Sequence, residues 1–192
     1  MPPVSIGRVG YIDESIHDRP GLYLLAVVLA EPDASAQVGR ELSALIPAAR
    51  RVHWHAEDDL TRIGLVKTVS TMPVSARVYS CGFDAPGRKE AARARALSWM
   101  ALELDTGVRH LVLDRRQNAQ NAVDRRVLGG LAGRPPRFTM DHRSSADEPL
   151  LWLADIVVGA AAAQVLGRTS VYTELLGEVL RSVSVDRPEK SD

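Results

Sequence analysis

The chain reads as a mixed α/β layer protein, and three observations carry that reading. The aliphatic run Leu22-Tyr23-Leu24-Leu25-Ala26-Val27-Val28-Leu29-Ala30 has the pattern of a strand buried on both faces. It follows a shorter apolar segment across a Pro20-Gly21 turn, which makes the two a hairpin. Downstream, apolar strand-like segments alternate with segments of helical periodicity, the order expected of helices layered on a sheet.

The first strand is expected over Arg8 to Asp13, followed by the turn His17-Asp18-Arg19-Pro20-Gly21. Glu31-Pro32-Asp33 opens a helix that carries Val38, Leu42, Leu45 and Ile46 at helical spacing. The loop His53-Trp54-His55-Ala56-Glu57-Asp58-Asp59 leads into a second helix bearing Leu60, Ile63, Leu65, Val66 and Val69, with Pro73 at its end. Val74 to Cys81 is a third strand, Pro86 to Asp105 a long helix stopped by Gly107, and Val108 to Asp114 a fourth strand. A weak helical pattern covers Ala119 to Leu128, and Arg137 to Asp141 follows as a short strand. The acidic loop Ser144-Ser145-Ala146-Asp147-Glu148-Pro149 precedes an apolar helix around Asp155, and an amphipathic helix is expected over Tyr172 to Val183. Residues 1–185 make one domain, with residues 186–192 a polar tail expected to be disordered.

Composition narrows the class. At 192 residues, 45% apolar and 25% charged, the chain suits one soluble domain with a sizeable core. A formal net charge of zero offers no global basic field for nonspecific nucleic-acid binding. An acidic metal site set against a basic groove would give the same total. Of the 24 cationic residues only Lys67, Lys89 and Lys190 are lysines, which reads as coding bias as much as phosphate recognition. The single cysteine, Cys81, excludes an internal disulfide and a multi-thiolate zinc site. No basic segment leads into an apolar one at the N-terminus, and the Asp155 helix is too short and interrupted to span a membrane, so a cytoplasmic location is expected. There is no Walker loop, dinucleotide fingerprint or Gly-x-Ser-x-Gly elbow.

The acids carry the functional signal. Asp155 lies inside Leu150-Leu151-Trp152-Leu153-Ala154-Asp155-Ile156-Val157-Val158-Gly159, where a bare carboxylate must find a cation, a proton or a metal. An ion pair with an arginine is the rival reading. Asp13 and Glu14 close the first strand on opposite faces, so only one can serve a given site, and Asp13 is the candidate. Asp-Glu-Ser also begins turns readily. Asp114 closes the fourth strand, where α/β folds place their ligand crevice, and a bridge to Arg115 or Arg116 competes with that role. Asp141 and His142 end the fifth strand and are weaker candidates. Glu57 is a further site carboxylate, unless Glu57-Asp58-Asp59 serves only the helix dipole. His53 is read as a substrate-contacting or supporting group, and Arg115, Arg116, Arg125 and Arg126 as phosphate contacts or as a solvated polar face. Carboxylate ligands without cysteine suit Mg2+ or Mn2+ better than zinc.

Three motifs in this order, Tyr-Ile-Asp-Glu-Ser at 11–15, Leu-Val-Leu-Asp at 111–114 and Leu-Trp-Leu-Ala-Asp-Ile-Val-Val-Gly-Ala at 151–160, resemble domain-of-unknown-function family 3800. That family is similar to the ribonuclease-H-like superfamily, and the resemblance spans residues 8–165. Ile16 stands where the family usually has glycine. The resemblance implies a ribonuclease-H-like α/β fold with a central five-stranded mixed sheet flanked by helices, its first three strands antiparallel. It also implies Asp13, Asp114 and Asp155 as metal-binding carboxylates, with Glu57 as the helix-borne acid. The function expected is a metal-dependent nuclease or related phosphodiester hydrolase acting with Mg2+ or Mn2+. The alternatives are a non-catalytic ribonuclease-H-like module binding a protein or nucleic acid, and a small-molecule metallohydrolase using His53 and His55. A homodimer through the apolar C-terminal helices is a further expectation.

Overall fold

The Pro20-Gly21 turn joins β1 (Arg8–His17) and β2 (Leu22–Ala30) into an antiparallel hairpin whose register runs from Val9↔Ala30 to His17↔Leu22. Gly21 takes φ +84, and a Cβ there would meet the carbonyl oxygen of Phe83, so the turn needs glycine. The computed structural model describes residues 7–45 and 52–186. β3 (Val74–Gly82) pairs antiparallel with β2, while β4 (Val108–Asp114) pairs parallel with β1 and β5 (Thr139–Arg143) parallel with β4. The helices are α1 (Pro32–Leu45), α2 (Asp59–Ser70), α3 (Lys89–Glu103), α4 (Asn118–Leu131), α5 (Leu151–Val165) and α6 (Val171–Leu176). Ile46, expected in the first helix, and residues 187–192 of the expected tail lie outside the described residues.

Three expectations are corrected. The segment read as a helix from Tyr172 to Val183 is α6, a short turn, and then a sixth strand, β6 (Leu180–Asp186), parallel to β3. Gly177 ends the helix with φ +52, and Val183-Ser184-Val185 has the β-branched alternation that pairs well at a sheet edge. The sheet therefore has six strands, in the order β5-β4-β1-β2-β3-β6, and not five. The first strand also does not stop at Asp13. It continues to His17, because every residue from Asp13 to His17 has a partner in β2.

Successive side chains on β1 face opposite layers, and each layer has its own core. Tyr11, Leu24, Ala26 and Val112 pack with α2, α5 and α6 on one side. Ile12, Tyr23, Leu25 and Leu113 pack with α3 and α4 on the other. β2 is buried on both faces from Tyr23 to Ala30, as its aliphatic run requires. The apolar side chains of α5 are buried within this same chain. Among the described residues no helix is long and apolar enough to cross a membrane.

Candidate active site

The alternation of β1 decides which acids can meet. Asp13 lies on the face of Tyr11, and Asp114 on the face of Val112, so both look toward α5. The parallel register places Ile12 opposite Leu113, which brings the next residues, Asp13 and Asp114, side by side on adjacent strands. α5 lies over β1 and β2 on this face and presents Asp155, the one residue of its central turns that is not fully buried. Three carboxylates from three elements thus come within electrostatic reach of one another.

Each has one oxygen fixed by a backbone N–H. The Glu14 N–H donates to Asp13 Oδ1 at 2.7 Å, the Ser145 N–H to Asp114 Oδ1 at 3.2 Å, and the Trp54 N–H to Asp155 Oδ2 at 2.9 Å. Tryptophans hold two of the donor loops. Trp152, one turn before Asp155, donates Nε1 to the Ser145 carbonyl at 2.8 Å, and Trp54 lies edge-on to Tyr172 at 5.0 Å. Gly159 gives the Trp54 indole its seat, because a Cβ on Gly159 would stand 2.2 Å from Trp54 Cγ. Trp152 and Gly159 are positioning residues that sequence reasoning did not single out, and Trp54 is one to which it assigned no role. The spacing of Gly159 one turn after Asp155 was the available signal. Gly159→Ala is expected to lower the melting temperature by several degrees, since an overpacked core loses about 1–3 kcal/mol. It should also shift tryptophan fluorescence as Trp54 leaves its seat.

No Lys or Arg among the described residues neutralises the cluster. Among the described residues none of Asp13, Asp114 and Asp155 is ion-paired, so the arginine partners weighed for Asp114 and Asp155 are not found. Burial first, then the charges of Glu14, Asp155 and Asp114, push the Asp13 carboxyl well above its ordinary range despite the Glu14 N–H. Burial likewise raises Asp155, with Asp114 adding to it, against the Trp54 N–H and the neighbouring His53 and His55. Among the described residues no three His, Cys, Asp or Glu side chains stand close enough together to hold a metal ion in this arrangement.

The other expected residues are placed differently. Glu57 is buried just after the short turn Trp54–Ala56, yet it is not among the charges that act most strongly on Asp13 or Asp155. His53 is exposed and within electrostatic reach of Asp155. Arg115 is exposed, and Arg125 and Arg126 lie on the outer face of α4. Arg116 lies across the sheet from the acids, bonded to Glu90 at 2.8 Å and Asp124 at 3.2 Å, and its guanidinium is absorbed there. His142 joins the same group through Nε2 at 3.1 Å from Asp124, while Asp141 is exposed beside His110 and Arg143.

A cleft of about 450 Å³ adjoins the acids, lined by His17, Trp54, His55, Arg62, Gly159 and Arg168 among others. Trp54 and Gly159 are thus shared between the cleft and the support of Asp155.

No family model matches the chain, so the motif resemblance to domain-of-unknown-function family 3800 has no such match behind it, and no curated protein matches either. Among solved structures the chain is similar to the ribonuclease H2 from Pyrococcus horikoshii OT3. The TM-score is 0.53 at 9% identity, with 96% of this chain and 82% of that chain covered. At this identity the likeness speaks for the backbone alone: the chain has a ribonuclease-H-like α/β fold, a mixed sheet flanked by helices.

Proposed function

We propose that the chain is a divalent-metal-dependent nuclease, or a closely related phosphodiester hydrolase, and a member of domain-of-unknown-function family 3800. The observation that carries the reading is that Asp13, Asp114 and Asp155, from β1, β4 and α5, stand within electrostatic reach of one another with no ion pair to any of them among the described residues. Buried carboxylates that raise one another's pKa are costly to a fold unless a positive charge joins them. The chemistry of the donor set, oxygen only, suits Mg2+ or Mn2+.

In this reading Asp13, Asp114 and Asp155 would hold the ion once its charge draws them closer than they stand in this arrangement, with Glu57, on the loop that Trp54 anchors, as the fourth acid of the site. Such an ion supplies Lewis acidity, activating water and stabilising the leaving oxygen of a phosphodiester. The chain's own part is positional. The backbone N–H groups of Glu14, Ser145 and Trp54 each fix one carboxylate oxygen, and α5 with its Trp152, together with Trp54 from the preceding loop, excludes water from behind the acids. His53 and Arg115, both exposed, are candidate substrate contacts, whereas Arg116 is engaged on the opposite face.

The test is the melting temperature with and without millimolar Mg2+ or Mn2+, alongside cleavage of single- and double-stranded DNA and RNA. At an ion concentration of 100 Kd, linkage supplies about 2.7 kcal/mol, or roughly 5–10 °C for a chain of this size. The wild type should show that rise and Asp155→Ala should not. If neither protein responds, the nuclease reading fails, and a binding module with buried structural acids takes its place.

A further inference from the structure

The cleft beside the acids has a lining that metal binding leaves without a role. Its volume, about 450 Å³, falls within the range of small-ligand pockets, about 300–1,000 Å³. Two elements lead into it from the carboxylates. Asp13, Ser15 and His17 share one face of β1, so the strand runs about 13 Å from the acid to His17 at the cleft. On α5 the floor continues from Asp155 through Gly159 to Ala162 and Ala163, and the segment after the helix carries Arg168.

The lining divides by chemistry. Ile63, Ala162 and Val171 supply apolar surface, while His17, His55 and Arg168 supply donors. Arg62 is already committed, with Nε donating to the Trp54 carbonyl at 3.1 Å and Nη1 to Asp59 at 3.1 Å. Asp59, the acid in the lining, is held by that arginine and by the Tyr172 hydroxyl at 2.9 Å. Arg168 is different: it is exposed and, among the described residues, makes no side-chain hydrogen bond or ion pair. His55 makes no side-chain hydrogen bond among the described residues either, and its ring lies 6.4 Å from that of His17. The charges of Arg168 and His55 both act on His17, whose own Nε2 is 3.0 Å from Ser15 Oγ. One standing cation, Arg168, therefore meets two imidazoles that can each donate an N–H, a disposition that suits an anion.

We propose that this cleft seats one nucleotide of a single-stranded stretch of the substrate, its phosphate between Arg168, His17 and His55 and its base or sugar on the apolar lining. The proposal rests on the nuclease reading of the acids next to it, for they would act on the same strand. A cleft of this volume takes a nucleotide and not a base pair, so the strand entering it is unpaired there. A cationic seat with a tolerant apolar wall is how single strands are held without sequence readout.

The experiment is fluorescence anisotropy of a labelled eight-nucleotide single strand, as DNA and as RNA, with the full chain in EDTA over a salt series. Working without metal keeps this result separate from the metal-induced stabilisation that tests the nuclease reading. The wild type should bind. Arg168→Ala should weaken binding about tenfold or more, as loss of a charged hydrogen bond does. It should also reduce the slope of log affinity against log salt by about 0.7, one phosphate contact fewer. His55→Gln, a second exposed position, should weaken binding in the same direction, and both variants should melt with the wild type. The proposal is overturned if both bind with wild-type affinity and slope, or if the strand does not bind. It is also overturned if inorganic phosphate gives an Arg168-dependent stabilisation that the strand does not, for the seat would then belong to a free anion.

Discussion

Asp13→Asn is expected to stabilise the metal-free protein and to abolish both its response to Mn2+ and its cleavage of nucleic acid. Burial and the charges of Glu14, Asp155 and Asp114 raise the Asp13 pKa in the folded chain. An acid whose folded pKa lies above its unfolded value, about 3.9, binds more protons folded than unfolded. Stability therefore falls as pH rises from about 4 through the folded pKa, and the full penalty is present at neutral pH. The asparagine variant lacks that penalty. It should melt about 2–4 °C above wild type at pH 7, for a relief of about 1 kcal/mol, and the difference should shrink toward zero near pH 4. With saturating Mn2+ the order should invert, because only the wild type gains the binding energy. The scan is thermal unfolding from pH 4 to 8 in EDTA and again in Mn2+. An asparagine variant less stable than wild type in EDTA at pH 7 would mean that Asp13 has a compensating partner, and the unpaired cluster would not exist.

Consecutive acids on one strand thus meet opposite fates, and the sequence showed why in part. The period of two separates Asp13 from Glu14 whatever the exact strand ends, so their division between two layers could be read from the chain. β2 and β4 were read with their observed bounds because long aliphatic runs bounded by Gly, Pro or Asp leave little choice. β6 was missed. Leu175, Leu176, Val179, Leu180 and Val183 have helical spacing, and only tertiary pairing with β3, after the break at Gly177, overrides it. The support of the acids was not legible either. A backbone N–H from residue 54 reaching residue 155, or from 145 reaching 114, depends on loop paths that no local pattern encodes. Nor did the sequence say which arginines were spent. Arg116 and Arg115 are neighbours, yet one is drawn into the interior and the other remains exposed.

Arg93→Ala is expected to be the most damaging single change outside the acid cluster, by about 3–5 kcal/mol, the usual consequence of removing one partner of a buried ion pair. Arg93 is the largest fully buried side chain and grips Asp124 with a two-point fork, Nε to Oδ1 and Nη2 to Oδ2, each at 2.8 Å. Its Nη1 donates to Glu14 Oε2 at 2.5 Å and to the Tyr23 hydroxyl at 2.7 Å. Burial alone would raise Asp124, but the bonds from Arg93 and His142 hold its carboxyl well below the usual carboxylate range. That sign is opposite to Asp13's: the contribution of Asp124 is complete above about pH 4 and is lost only as pH falls toward its folded pKa. Arg93→Lys should recover little, since an ammonium cannot reproduce the fork. Arg93→Met combined with Asp124→Leu should recover most of the loss, because no buried charge is then left alone and Arg116 still lies 3.7 Å from Glu14. Urea unfolding at pH 7 gives all three values. If the double variant is no better than Arg93→Ala, the network contributes through shape and not through charge pairing, and β1 is held against α3 and α4 by packing alone.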